Sequence, residues 1–414
     1  MKICILTAKL EHGGASIVAL DVAKGIAEKG HEVLFVCSGK EEKNFEHEGF
    51  RIKELRSRIQ NPLFHYFNPF LIFSLHRVLR EFHPDIIHIH NINLQTFSLC
   101  ALLFSHRYPM VWTLHDLWPV CLTGWPDSYN RNCVTNQCQG CPNWPQVYVK
   151  INKFLKEYIY QRSKFAVVCP SRWMTEQLQG SVLSKKDVYI VHNGVDINVR
   201  NDMIPADELK SQLKITDGSF ILLFIGGKRL AGLVPAKRKG WSHLVSALRQ
   251  LNLNIFNNLH LIYVGDPIDL PEDFPLPVTF IHNIPRRDMP SYYHLADIFI
   301  LPTLADNFPL TIIEAMASHT PVIATDVGGI PEIVFDHQTG IVICPQDDWA
   351  LKNAIEELWT KSEVRNNLAK QAFELINEKF SFDKMIDGYE TIYHEVIKKF
   401  IISCDPSWSK HKGI

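Results

Sequence analysis

The sequence predicts an α/β protein built from two tandem Rossmann-like halves, and three observations predict it. Short apolar runs alternate with helical patterns up to about residue 170, the same alternation restarts near residue 220, and the turn signal Asn193-Gly194 stands between the two stretches. Strands that alternate with helices make a parallel sheet, and the loops at the carboxyl ends of its strands form the binding crevice.

The first half opens with the apolar run Ile3–Leu6, a glycine turn at Gly13-Gly14 and the helical pattern Ile17–Glu28. A strand at Glu32–Cys37 follows, then a helix over Pro69–Phe82, a strand at Ile86–His90, a helix around Thr96–Phe104, and strands at Val111–Leu114 and Phe165–Pro170. The second half begins with Phe220–Ile225, which ends at Gly226-Gly227, and continues with the helix Trp241–Leu251. Strands at His260–Val264 and Val278–Ile281, a helix at Met289–Ala296 and the strand Ile298–Leu301 come next. After a helix that follows Pro309 there are strands at Pro321–Ala324 and Gly340–Cys344, the helix Trp349–Lys361, and a last helix Phe382–Phe400. These patterns divide the chain into residues 1–192 with a cysteine-rich insertion over 117–145, residues 193–381, and a C-terminal helix and tail over 382–414 that reach back to the first half.

With 414 residues, the chain exceeds one ordinary core, which agrees with two domains. Its composition, 46% hydrophobic and 21% charged, is that of a globular chain and carries no signature of disorder. No window reaches the roughly 18 apolar residues of a membrane span, and the start lacks a small-residue cleavage site, so a cytoplasmic chain is expected. The net charge of −1 hides an asymmetry: residues 1–190 carry 22 Lys and Arg against 16 Asp and Glu, and the remainder carries 21 against 28. A basic first half suits an anionic membrane surface, here the inner face of the cytoplasmic membrane, or a phosphate-bearing acceptor; ordinary surface variation is the plainer account. The Lys and Arg residues are scattered without a nucleic-acid motif, which excludes that partner class.

The chemistry concentrates in Asp306-Asn-Phe-Pro-Leu-Thr-Ile-Ile-Glu314, read as loop and helix start after the strand Ile298–Leu301. Pro309 suits a first helical turn, Asp306 or Asn307 is a natural cap before it, and Glu314 falls about two turns into the helix. A helix opening at a sheet edge offers unpaired N–H groups and partial positive charge to a phosphate, while flanking carboxylates hold hydroxyls.

These residues, with Gly13-Gly14, Leu114-His-Asp-Leu-Trp118, Asn193-Gly-Val-Asp196, Arg238-Lys-Gly240 and Thr325-Asp-Val-Gly-Gly-Ile-Pro-Glu332, resemble the retaining nucleotide-sugar glycosyltransferases of the GT-B fold, family 4. The resemblance covers nearly the whole chain and implies two Rossmann-like domains with a deep interdomain cleft, the first taking the acceptor and the second the nucleotide-sugar. The family's two glutamates, seven residues apart, correspond to Asp306 and Glu314: the first position is implied to bind sugar hydroxyls and the second the nucleotide ribose. Aspartate at the first position is a departure, and the segment Asp-Asn-Phe-Pro resembles the branch that assembles bacterial exopolysaccharides. Asn307, Phe308, Pro309 and Leu310 join the donor-binding set by the same match. Arg238 and Lys239 match the basic residues facing the diphosphate, although the preceding loop Lys228–Lys237 differs from the family and leaves Arg229 as a competitor. His115 resembles the histidine that contacts the donor sugar, and Gly13 and Gly14 allow close backbone approach to the diphosphate or acceptor. His115, Asp306 and Lys239 are thus the implied catalytic set, while His88 and His90 read as strand-end packing or acceptor-pocket groups.

The reaction implied is transfer from a UDP- or GDP-sugar to a saccharide or lipid-linked saccharide acceptor in bacterial surface or exopolysaccharide synthesis, with no metal in catalysis. The absence of an Asp-x-Asp triplet argues against transferases that hold their donor through a divalent metal. A phosphorylase or epimerase of the same fold, and an idle sugar-binding or scaffold subunit of an assembly complex, are the competing readings. Cys121, Cys133, Cys138 and Cys141 gather behind His115-Asp116 and read either as a structural zinc site or as four unpaired thiols. The aromatic stretch Pro62–Phe73 reads as an interfacial segment or a buried helix with its loop.

Overall fold

The structure, a computed structural model, describes residues 1–10, 13–56, 68–92, 99–121, 146–198, 203–227 and 235–404. Cys133, Cys138, Cys141, Arg229 and the Pro62–Phe67 part of the aromatic stretch lie outside them. The chain divides into two compact units, Met1–Asn193 with Asp383–Ile414, and Gly194–Phe382.

In the first unit the strands are β1 (Lys2–Leu6), β2 (Glu32–Gly39), β3 (Lys43–His47), β4 (Phe50–Arg56), β5 (Ile86–Ile89), β6 (Met110–Thr113), β7 (Ala166–Cys169) and β8 (Val188–Ile190). They form one sheet in the order β3-β4-β2-β1-β5-β6-β7-β8, parallel except for the β3–β4 pair. The central strands read as unbroken apolar runs because helices cover both faces of a parallel sheet. Helices α1 (Gly14–Glu28), α2 (Pro69–Phe82), α3 (Gln146–Arg162) and α4 (Arg172–Gln177) connect them, with a 3₁₀ stretch at Leu99–His106 in place of the α-helix expected around Thr96–Phe104.

Strands β3 and β4 were not expected from the sequence. Their residues are densely charged, and β3 is fully exposed, as suits an edge strand that must not recruit a partner.

The second unit carries β9 (Phe220–Gly227), β10 (Leu259–Gly265), β11 (Val278–Ile281), β12 (Ile298–Leu301), β13 (Val322–Thr325) and β14 (Ile341–Ile343) in the order β11-β10-β9-β12-β13-β14, with the strand pairs parallel. Its helices are α5 (Ala206–Leu213), α6 (Pro235–Arg238), α7 (Trp241–Arg249), α8 (Met289–Leu295), α9 (Leu310–Ala317), α10 (Asp348–Thr360) and α11 (Ser362–Lys379).

The last helix, α12 (Phe382–Cys404), packs on the first unit. Its buried residues Met385, Ile386, Tyr389, Ile392, Tyr393 and Val396 follow the 3.6-residue period of an amphipathic helix. Lys29 holds Asp387 at 2.6 Å and Glu390 at 2.8 Å from its solvent side. Inside, the Tyr393 hydroxyl lies 2.6 Å from His88 Nδ1, and the Tyr389 hydroxyl 3.2 Å from Thr113 Oγ1. His88, bonded also to Thr113 Oγ1 at 2.8 Å, is therefore a packing group at the end of β5.

Candidate active site

In the second unit the strand order reverses between β9 and β12: β10 lies on one side of β9 and β12 on the other. Loops leaving such neighbours part from each other and open a crevice at the carboxyl ends of the strands. Three loops meet there. The β9 connection returns through α6 to Arg238-Lys239-Gly240, where the Arg238 carbonyl accepts from Leu304 N–H at 2.8 Å and from Thr303 Oγ1 at 3.2 Å. Gly240 has φ +83°, and a Cβ on it would stand 1.8 Å from the Pro302 carbonyl oxygen, so the basic loop lies directly on the chain that leaves β12. From the other side Gly328, at φ +60°, approaches so closely that a Cβ would stand 1.6 Å from the Asp306 carbonyl oxygen. Gly329 N–H then donates to the Asn307 carbonyl at 2.9 Å.

These loops position the two predicted carboxylates differently. Asp306 Oδ1 accepts from Asn307 N–H at 2.9 Å and its Oδ2 accepts from Arg238 Nη1 at 3.3 Å, while the same guanidinium nitrogen donates to the Ala305 carbonyl. The expectation that Asp306 or Asn307 caps the helix fails, because the Asp306 carboxylate is engaged by its own loop. Pro309, expected in the first turn, is itself the N-cap, with φ −69° and ψ 118°, and α9 starts at Leu310. Glu314 accordingly sits only just beyond the first turn. Its Oε2 accepts the Tyr293 hydroxyl at 2.8 Å. Burial, together with the Glu314 charge, holds the Tyr293 phenol well above its usual range, so it remains a donor.

Lys239 lies among these groups and, among the described residues, has no ion pair. Burial pushes its ammonium down to about 8, opposed first by the Asp306 charge; Arg238 adds to the lowering and Glu314 to the opposition. Half-buried, and with Arg238 beside it in the chain already bonded to Asp306 and the Ala305 carbonyl, it is the less committed of the two cations. Asn307, Phe308 and Pro309 are buried, and Phe308 packs edge-on against Phe380 at 5.4 Å, so this part of the segment offers a ligand its backbone. Leu310 is half-buried at the first turn of α9.

In the first unit the strand order reverses between β1 and β5. Gly13 is the N-cap of α1 at φ +77°, and among the described residues nothing lies within 4 Å of a Cβ placed on it. Gly14 starts the helix, and no acidic side chain neutralises its first turn. Beyond the neighbouring strands, His115 Nε2 lies 2.9 Å from His90 Nδ1, with the rings stacked at 5.2 Å, and His88 stands 4.0 Å from His90 in turn. Desolvation lowers all three: His115 to about 4, His88 and His90 well below their usual value, and all are neutral near pH 7. Asp116 turns back to accept the Trp118 N–H at 2.9 Å and so fixes the loop after β6. Of the cysteine set Cys121 is half-buried at the end of that loop, and the other three fall outside the described residues.

Sequence reasoning missed Tyr293, Gly328's contact with Asp306, and the His90–His115 pair. Tyr293 falls on the ordinary apolar period of α8 and carries no signal of its own; His88-Ile-His90 carried one, two histidines on alternate positions at a strand end.

Residues 12–199 match Glycosyltransferase Family 4, and residues 206–375 match Glycosyl transferases group 1. The chain is a family 4 glycosyltransferase. It is similar over 408 residues, at 24% identity, to the N-acetyl-alpha-D-glucosaminyl L-malate synthase of Bacillus anthracis, with 93% of this chain and 95% of that one covered. It is 27% identical over 247 residues to the Salmonella typhimurium lipopolysaccharide 1,2-N-acetylglucosaminetransferase, covering 54% of this chain and 60% of that one. The structure of Anabaena Alr3699/HepE in complex with UDP-glucose superposes with a TM-score of 0.67 at 19% identity, over 95% of this chain and 99% of that one. The family 4 enzyme thus has the GT-B fold, with two Rossmann-like α/β units.

Proposed function

We propose that the enzyme transfers a sugar from a UDP- or GDP-sugar to a saccharide, lipid-linked acceptor in bacterial surface or exopolysaccharide synthesis, with retention at the anomeric carbon and without a catalytic metal. The observation that carries this reading is the placement of Lys239 beside Asp306 and Glu314 at the strand-order reversal, with Arg238 behind it. As the bond from the sugar to the diphosphate breaks, the leaving group gains negative charge, and a cation already in position stabilises it without reorganisation. Lys239 supplies that cation, and the Arg238 guanidinium adds to it. Asp306 accepts from sugar hydroxyls, Glu314 from the ribose, and neutral His115 can donate or accept at the donor sugar. In a front-face substitution the leaving phosphate oxygen takes the acceptor hydroxyl's proton, and the new glycosidic bond forms on the side from which the old one breaks. A protein nucleophile is then unnecessary.

The test is a panel of UDP- and GDP-sugars, incubated without acceptor and in the presence of EDTA. Slow hydrolysis of one donor is expected, since water can replace the acceptor in the site. If no member of the panel binds or turns over, the reading fails.

A further inference from the structure

Helix α3 is apolar on two sides. On the side packed into the first unit it buries Val149, Ile159 and Tyr160 together with Asn152 and Lys156, Lys156 being only 3% exposed. That ammonium donates to the Trp118 carbonyl, and to the Cys121 carbonyl at 2.6 Å, and it sits 4.3 Å from the Trp118 ring. On the opposite side Val147, Ile151, Phe154 and Tyr158, spaced four, three and four residues apart, form one stripe along the helix. This stripe faces outward, with Val147 at 65% and Phe154 at 64% exposure. Single exposed apolar residues are ordinary on protein surfaces, but a stripe that runs the length of a helix marks a face that something covers.

The charges beside the stripe indicate what covers it. Lys150 and Lys153 are exposed along one border, and Arg162 lies over the Tyr158 ring at 3.6 Å. The acid of the helix, Glu157, is paired with Lys153 at 3.9 Å. A second copy packed face to face would set these cations against themselves. An acidic lipid surface would meet them with opposite charge, take the aliphatic and aromatic stripe into its headgroup boundary, and leave the tyrosine hydroxyls at the polar level. Phe70 and Phe73 are likewise exposed at the start of α2. Both helices begin at the carboxyl end of the same parallel sheet, so the two apolar patches share the end of the unit on which crevices of this fold open.

We propose that the outer face of α3 lies on an acidic phospholipid surface, with Ile151 and Phe154 as its central apolar contacts and Lys150, Lys153 and Arg162 as its electrostatic ones. The inference rests on the reading of a lipid-linked acceptor only for its purpose; the binding itself is a property of the helix. No described helix is long and apolar enough to cross a bilayer, so the attachment is interfacial.

Co-sedimentation of the full chain tests it, using vesicles of phosphatidylcholine alone and of phosphatidylcholine mixed with phosphatidylglycerol. The wild type should pellet with the mixed vesicles and stay in solution with the neutral ones. Lys150→Glu should weaken the binding about fivefold or more, the worth of a single basic contact at an anionic surface. The double variant Ile151→Glu/Phe154→Glu should abolish it while keeping its thermal midpoint and its donor hydrolysis in solution. Equal pelleting of the wild type and the double variant, or none by the wild type, overturns the proposal. So does a fall in the thermal midpoint of the double variant, which would mean that the stripe packs against protein, or a wild-type dimer that becomes a monomer in the variant. Lipid binding without turnover of any nucleotide-sugar would instead overturn the enzymatic reading and leave this one standing.

Discussion

Arg238 reaches from the basic loop to Asp306 Oδ2 at 3.3 Å and to the Ala305 carbonyl behind it, so the residue matched to the diphosphate also holds the loop matched to the sugar. This link joins two motifs 68 residues apart in sequence and makes Lys239 the less committed of the two neighbouring cations. Substituting either residue therefore tests a different thing: Arg238 the shape of the loop, Lys239 the charge in the site.

The Lys239 ammonium, pushed down to about 8, gives a pH dependence. Donor binding, measured as kcat/KM for hydrolysis, should be full below about pH 7 and decline as the pH rises through about 8, where the free enzyme loses this proton. Lys239→Arg should remove that decline, because a guanidinium stays charged throughout the range. Lys239→Met should lower kcat/KM by about a hundredfold or more below about pH 7, as loss of a preorganised electrostatic contact does, and the deficit should shrink as the wild-type lysine itself loses its proton.

Glycine is required where the loops touch. Gly328→Ala would combine a left-handed backbone with a Cβ 1.6 Å from the Asp306 carbonyl oxygen. Such strain and overpacking should cost about 2–4 kcal/mol by urea unfolding. The same change at Gly13, which meets no described neighbour but holds φ +77° and ψ 177°, a region only glycine enters readily, should cost its backbone strain alone, about 1–3 kcal/mol.

Tyr293 orients Glu314 through the 2.8 Å bond to Oε2. Tyr293→Phe removes the donor and leaves the ring's packing, so the melting temperature should change little while the KM for the donor rises about fivefold to tenfold. A fall in kcat at constant KM would show that the tyrosine acts on the reacting sugar instead.

The histidines of the first unit predict acid sensitivity. His115 titrates at about 4 when folded, and His88 and His90 well below their usual value, whereas an unfolded histidine titrates near 6.5. Between those values the unfolded chain binds more protons than the folded one, so stability is full above about pH 6.5 and falls as the pH drops toward 4. Urea midpoints across that window measure the fall. His115→Gln, which does not titrate, should flatten it by up to one proton.

The strands of the second unit were the most legible: Ile298–Leu301 has the expected bounds because a strand covered on both faces is an uninterrupted apolar run, and the half-buried edge strand Val278–Ile281 keeps its expected bounds too. The first unit hid more. Strands β3 and β4 lie at an edge and are written in charged residues, and α3 blurs its pattern by burying Lys156 beside Ile159 and Tyr160 while exposing Phe154. In the second unit helix α11, which follows α10 with only Lys361 between them, was not among the expected elements. Within the site, residue types and their order pointed to Asp306, Glu314, Lys239 and His115. The partner of each was out of reach, since Tyr293, Arg238's hold on Ala305 and the His90–His115 pair depend on which loops meet across strands distant in sequence.

The division of labour between the two carboxylates is the centre of the account, and calorimetric titration of UDP and GDP into the wild type, Glu314→Gln and Asp306→Asn tests it most directly. One nucleotide should bind the wild type at a single site, Glu314→Gln should weaken it about tenfold through loss of a charge-assisted contact to the ribose, and Asp306→Asn should bind it nearly as the wild type does while transferring sugar poorly. Equal losses in both variants, or no binding of either nucleotide to the wild type, would contradict it.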